Sequence, residues 1–196
     1  MTALKGSVNV NVPDNTALLV MDIQEGIVAR VHDDPDYLPR LSRAIDAARR
    51  ADIPVVYVVI GFRSGHPEVS DRNATFSALP PGAFAEGDPH AAIHPDVAPR
   101  PGEVVVTKKR VSAFTGSDLE LVLRSAGITR LVLTGLATSG VVLSTLRQAA
   151  DLDYRLTVLA DGCADRDPEV HRLLTEKVFP GQAEVSTVDQ WVAAVG

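Results

Sequence analysis

Short, nearly unbroken apolar runs recur along this chain, and they constrain its fold more than any other feature. Thr16–Ile23 reads TALLVMDI, Pro54–Ile60 reads PVVYVVI and Glu103–Thr107 reads EVVVT. TRLVLTG and YRLTVLAD follow, with a short AEVST near the end. A strand that is apolar on both sides belongs in a sheet covered on both faces, which marks parallel strands and not a half-solvated antiparallel sheet. Between the runs lie stretches with helical spacing. Leu38 to Ala51 puts Leu38, Leu41, Ile45 and Ala48 along one side. SDLELVLRSAG opens on Ser117 as N-cap, with Glu120 three residues on as in a capping box, and stops at Gly127. Ser139 to Leu152 reads as a helix. DPEVHRLLTEKVF reads as another, with Asp167 as N-cap and Pro168 in the first helical position. The alternation predicts an α/β fold, a three-layer sandwich with a mostly parallel sheet and helices on both faces.

No repeat or low-complexity linker interrupts the pattern, so one domain over residues 1–196 is expected, long enough to bury a core. The stretch from Gly61 to Gly102 breaks the rhythm: it holds seven prolines together with His66, His90 and His94. A connection that long inside one domain is either functional or covers something.

Composition removes several classes of function. The net charge of −6 argues against a nucleic-acid partner, because displacing counterions needs a basic surface. KKR at Lys108–Arg110 is the one basic concentration, and a solvated strand end explains it as well as a site does. No apolar run approaches the roughly 20 residues of a membrane span. MTALKGSVNVNVPDN lacks the apolar centre of a secretory signal, so a cytoplasmic location is expected. One cysteine, Cys163, leaves no internal disulfide and no thiolate-rich metal site.

In open α/β sheets ligands bind beyond the carboxyl ends of the strands. The first run delivers Asp22 and Gln24 there, the third delivers Lys108, and TRLVLTG leads into GLATSGVV, Gly135–Val142. A carboxylate at the end of a buried strand is costly unless paired. A lysine on an adjacent strand end supplies the counter-charge and limits the rise of its pKa. Taken singly, Asp22 reads as a turn cap and Lys108 as solvated; taken together they read as a site. The helix start at Thr138, Ser139 and Gly140 offers free N–H groups and a positive dipole end, where an anion or developing oxyanion is stabilised. A thiol at its second position would be reactive. Val141 stands there and can be neither nucleophile nor acid nor base. Ser139 reads as an N-cap. Ser144 and Thr145 lie inside the helix, and Cys163 reads as a buried, unreactive thiol. Phe62, Arg63 and Phe114 are candidate pocket walls, with Arg63 suited to a carboxylate or, equally, a solvated loop charge.

LLVMDIQ, VVYVVIGFR, VVVTKKRVSAF, SDLELVLRSAGITRLVLTGLATSGVV and LTVLADGCAD come in the order found in one family. The combined patterns K-x-x-x-S-A-F and L-x-x-x-G-x-x-T-x-x-x-V are specific. The chain resembles the isochorismatase-like hydrolases, or cysteine hydrolases, which include nicotinamidases and N-carbamoylsarcosine amidohydrolases. The resemblance implies that Asp22 matches the catalytic aspartate and Lys108 the catalytic lysine. It places Val141 where amidohydrolase members carry the nucleophilic cysteine, and it implies a cis peptide at Leu136–Ala137. True isochorismatases also lack that cysteine, because cleaving a vinyl ether needs no acyl-enzyme. Their aspartate acts as general acid on the enol ether before water adds and pyruvate leaves. They carry a glycine with aromatic or histidine neighbours in this loop, where this chain has LATSGVV. Nicotinamidases bind a metal after the second strand, but the D-x-H spacing is missing from GFRSGHPEVSDRN even though His66 and Asp71 are present. The expected site therefore has no metal and no cofactor. It has Asp22 and Lys108 as its chemistry, Val141 in place of a nucleophile, and Gln24, Phe62, Arg63, Phe114, Thr138, Ser139 and Gly140 around the substrate. A small-molecule substrate is expected, with neither nucleic acid nor membrane as partner. So is a homo-oligomer, with the apolar helices near Leu152 and Trp191 as candidate interfaces.

Overall fold

The structure is a computed structural model that describes residues 15–31 and 34–196. The reading of residues 1–14 as no secretory signal lies outside the described residues. Among the described residues six strands form one sheet: β1 (Thr16–Met21), β2 (Val55–Ile60), β3 (Val104–Lys108), β4 (Arg130–Leu136), β5 (Arg155–Ala164) and β6 (Glu184–Ser186). Their order is β3-β2-β1-β4-β5-β6, and every neighbouring pair is parallel. The sheet is thus wholly parallel, beyond the mostly parallel sheet expected. The short β6, the last strand in the chain, pairs with β5 in the same sense as the rest.

The helices are α1 (Glu25–Val31), α2 (Tyr37–Arg50), α3 (Leu119–Ser125), α4 (Leu143–Asp151), α5 (Pro168–Leu173) and α6 (Val188–Val195). Alternate residues of the strands divide the interior into two cores. Ala17, Leu19 and Met21 of β1 face α3 and α4 together with Val106, Leu131 and Val158. Leu18 and Val20 face α2 and α6, with Tyr57, Val132 and Leu159. This period-2 division makes the three layers, and it explains why the central strands read as unbroken apolar runs. Burying each large aliphatic side chain contributes about 1.5–3 kcal/mol relative to leaving it in water. Trp191 is 8% exposed and packs inward against α2, and Leu152 packs against the other core, so both serve this chain's own interior.

Several local expectations shift. The Ser117 hydroxyl accepts the Leu119 N–H at 3.3 Å, as an N-cap does, and also donates to the Ala113 carbonyl. Glu120, however, pairs with Arg124 at 2.7 Å, so the reciprocal half of the capping box is not made. The helix stop is as read, with Gly127 at φ +66 and its N–H on the Arg124 carbonyl. Asp167 caps α5 as read, accepting from the N–H groups of Glu169 and Val170, with Pro168 in the first turn. β5 runs past Asp161 to Ala164, so Cys163 lies inside the strand and not beyond it. The short α1 carries no sequence signal used above. Residues 61–102 form turns and two single 3-10 turns around a small cluster of Ile60, Phe62, Phe76 and Phe84. Their return leg bridges Ile93 to Gln24.

Candidate functional site

The winding of the sheet reverses between β1 and β4, and the chains leaving these neighbours diverge to open a crevice at their carboxyl ends. Met21 is in register with Gly135 there. A Cβ on Gly135 would stand 2.5 Å from the Met21 carbonyl oxygen, so only glycine lets the two strand ends approach this closely. The next residue of β1's chain, Asp22, takes φ +57, a left-handed conformation that aspartate tolerates better than most residues.

The Asp22 carboxylate meets the Lys108 ammonium at 2.9 Å, with both side chains almost wholly buried. The strand ends that carry them are not adjacent, as the sequence reading had them: β2 lies between β1 and β3, and the lysine stem spans it. Lys108 also donates to the Arg110 carbonyl at 3.0 Å. Burial raises the pKa of the Asp22 carboxyl above its ordinary value, while the charge and hydrogen bond of Lys108 hold it back. The other oxygen, Oδ1, is buried without a hydrogen-bond partner. A buried acceptor left unpaired is expensive, and it is where a proton or a ligand group would be received. Gln24, two residues on, is fully buried. Its Nε2 donates to the Ile60 and Ala91 carbonyls, and its Oε1 accepts from the Ile60 N–H. Its side chain thus ties the end of β2 to the returning loop.

On the other side of the crevice, the Leu136–Ala137 peptide is cis, as the resemblance implied. The helix expected from Ser139 begins instead as a wide, irregular turn over Thr138–Val142 with Gly140 at φ −95, ψ −105, and regular α4 starts at Leu143. Ser139 is not the cap. The Ala137 carbonyl accepts from the N–H groups of Gly140 and Val142, and the Ser139 N–H donates to Asp165 at 2.7 Å. Thr138 is fully buried, with its hydroxyl 2.8 Å from His171 Nδ1. Val141 is 2% exposed and belongs to the core that holds Phe114, Leu146 and Cys163.

Asp22, paired with Lys108, and the turn Thr138–Val141 thus leave the same edge of the sheet from neighbouring strands in register at Met21 and Gly135, with Phe114 in the apolar packing behind the turn. Phe62 and Arg63 follow the end of β2 and line an open cleft of about 520 Å³ with Ile60, Glu86 and Lys109. Arg63 is exposed and paired with Glu68 at 2.6 Å. The His66 ring packs against Phe62 at 5.1 Å, and Asp71 takes only the neighbouring Ser70 hydroxyl. Among the described residues no three His, Cys, Asp or Glu side chains are grouped to hold a metal ion. Cys163 is buried with its thiol pushed up to about 12, mainly by desolvation.

Sequence reasoning missed the groups that brace this geometry. Gln148 of α4 accepts from the Ser112 and Thr115 hydroxyls, and Thr145 accepts the Ala113 N–H, which fastens the loop after Lys108 to the helix after Val141. Polar Thr145 and Gln148 three apart on an otherwise apolar helix side were the available signal. Asp165 and His171 act over separations of 26 and 33 residues and left none.

The isochorismatase domain matches residues 16–190. The chain is 31% identical over 206 residues to a ureidoacrylate amidohydrolase of Stutzerimonas stutzeri, covering 92% of this chain and 79% of the relative. It is 32% identical over 165 residues to a probable inactive nicotinamidase of Arabidopsis thaliana, covering 80% and 84%. The solved structure of an isochorismatase family protein from Burkholderia thailandensis superposes with a TM-score of 0.84 at 29% identity, covering 94% of this chain and 97% of that one. The protein belongs to the isochorismatase family of hydrolases.

Proposed function

We propose that the protein hydrolyses a small metabolite without a covalent thioester, using Asp22 as general acid and base and Lys108 as its electrostatic partner. The observation that carries this reading is the buried Asp22–Lys108 pair at 2.9 Å, with one carboxylate oxygen unpartnered beside a turn that offers valine and no thiol. A carboxyl raised toward the working pH exchanges protons more readily than an ordinary aspartate, as acid–base catalysis requires. On a vinyl ether, Asp22 would deliver its proton to the terminal vinyl carbon, and water would add to the resulting oxocarbenium carbon. The hemiketal would then collapse to ketone and alcohol, with the proton from water returned to the carboxylate. Lys108 keeps the carboxylate's charge tolerable in a dry site at each stage.

The test is pyruvate release from isochorismate, with Asp22→Asn as control. The reading expects turnover that falls by about 100-fold or more in the variant, the usual scale of general acid–base catalysis. Activity left intact in Asp22→Asn would sink it. The similarity to a named amidohydrolase supports testing amides beside vinyl ethers, since direct attack by water on an amide also needs no thiol.

A second reading, a member of the fold that binds a ligand without turning it over, is favoured by the burial of Val141 in the core and by the likeness to a probable inactive nicotinamidase. It expects no turnover across the panel, together with a rise in melting temperature on adding the bound compound.

A further inference from the structure

The turn that carries Val141 is tethered from outside by one short stretch, Asp165 to His171. Asp165 Oδ2 accepts the Ser139 N–H at 2.7 Å, and Oδ1 accepts the Asp167 N–H at 3.4 Å. Asp167 caps α5, and four residues later His171 presents Nδ1 to the Thr138 hydroxyl at 2.8 Å. Two successive residues of the turn are thus held by two residues of one capped helical segment.

We propose that His171 is the positioning residue of this turn: its ring, acting with Asp165, clamps Thr138 and Ser139 and so sets the geometry of the site wall opposite Asp22. Thr138 is wholly buried, so its hydroxyl needs a protein partner, and the imidazole supplies one. The half-buried ring favours its neutral form, in which Nδ1 accepts and the Thr138 hydroxyl donates. A hydroxyl on an imidazole is also the arrangement that activates a nucleophile. Here the hydroxyl is enclosed by protein and spans from the turn to α5, which is the arrangement of a tether. Asp165 and His171 are both only partly buried, at the margin of the sheet, so the clamp acts on the turn and not on the packing of the sheet.

The effect of the clamp on turnover rests on reading the Asp22 crevice as the reaction site; its effect on the order of the turn does not. Hydrogen exchange by mass spectrometry on the full chain separates the two. His171→Ala and Thr138→Val should each speed exchange over residues 136–145 by about tenfold, the loss of one buried hydrogen bond. The double variant should be no faster than either single one, because both remove the same contact. His171→Asn keeps an acceptor near the place of Nδ1 and should restore most of the protection, while peptides of β1, β2 and α2 stay unchanged. If wild type turns over a substrate, His171→Ala should lower kcat and leave KM nearly unchanged, with rescue by His171→Asn. Unaltered protection of 136–145 in both single variants would overturn the proposal. So would faster exchange spread evenly along the chain, or a failure of His171→Asn to rescue. Should His171→Ala not fold, Thr138→Val and His171→Asn carry the same comparison.

Discussion

The two walls of the crevice are built by opposite means. On the β1 side, charge is buried: Asp22 and Lys108 lie in the interior with one carboxylate oxygen unsatisfied, and Gln24 spends its amide holding the neighbouring strand end. On the β4 side, the turn is apolar where it faces the core, and its polar groups are turned outward to Asp165 and His171. Packing explains the second wall, since Val141 fills space among Phe114, Leu146 and Cys163. It does not explain the first. A buried ion pair repays its desolvation poorly, and apolar residues of similar size usually stabilise a core as well or better. The wall that costs stability is the one to which the proposed function assigns proton transfer, and the wall that packs well is the one that offers valine and no thiol.

The sharpest way to break this contrast is to replace the pair by stages. Asp22→Ala leaves the Lys108 ammonium buried without its counter-charge and should destabilise the protein by about 3–5 kcal/mol in urea unfolding. Asp22→Leu combined with Lys108→Met should recover most of that loss, or exceed wild type, while abolishing any turnover. A double variant less stable than the single one would make the pair structural and remove the argument. Gly135→Ala attacks the join between the walls. Its Cβ would fall 2.5 Å from the Met21 carbonyl at a φ of +150, so strain and displacement together should cost about 3 kcal/mol. A cost below about 1 kcal/mol would mean that the strand ends need not touch.

Most of the sheet was legible because burial on both faces writes itself into the central strands: the runs from Thr16, Pro54, Thr129 and Tyr154 became strands within a residue or two at their start. The run from Glu103 became the edge strand β3, where Val104 and Val105 are exposed. Asp22 and Lys108 stood out because charges next to such runs are costly, and the structure pairs them. What the sequence hid is of two kinds. Local rules overreached at two helix starts: Ser117 accepts the Leu119 N–H but Glu120 finds Arg124 and leaves the box half made, and Ser139 donates its N–H to Asp165 where it was read as a cap. Long-range tethers had no local trace, since His171 and Asp165 reach the turn through side chains whose partners are set by the neighbouring ends of β4 and β5. Phe62 and Arg63 follow the end of β2 and line an open cleft there, with the Arg63 guanidinium paired to Glu68.

Smaller effects sharpen the apolar wall. Val141→Ala removes two methyl groups from a tightly packed position and should cost about 2 kcal/mol, transfer and cavity together. A negligible cost would show that the turn relaxes freely and that the valine is not a packing residue.

The smallest effect concerns Cys163, which lies in the same core as Val141 and tests how dry that core is. Burial raises its thiol from 9.0 to about 12. The folded protein therefore keeps this proton over a pH range in which the unfolded chain releases it. The associated stability is fully present below about pH 9 and is lost as pH rises from there toward about 12, at about 1.4 kcal/mol per unit. Wild type should accordingly lose about 1.4 kcal/mol more than Cys163→Ala between about pH 8 and about pH 10, measured by urea unfolding. The tyrosines that also titrate in alkali are common to both proteins and cancel in the difference. Parallel pH curves would mean that water reaches the thiol, and with it the back of the valine wall. In that case the packing of the turn, and not its chemistry, would need a new account.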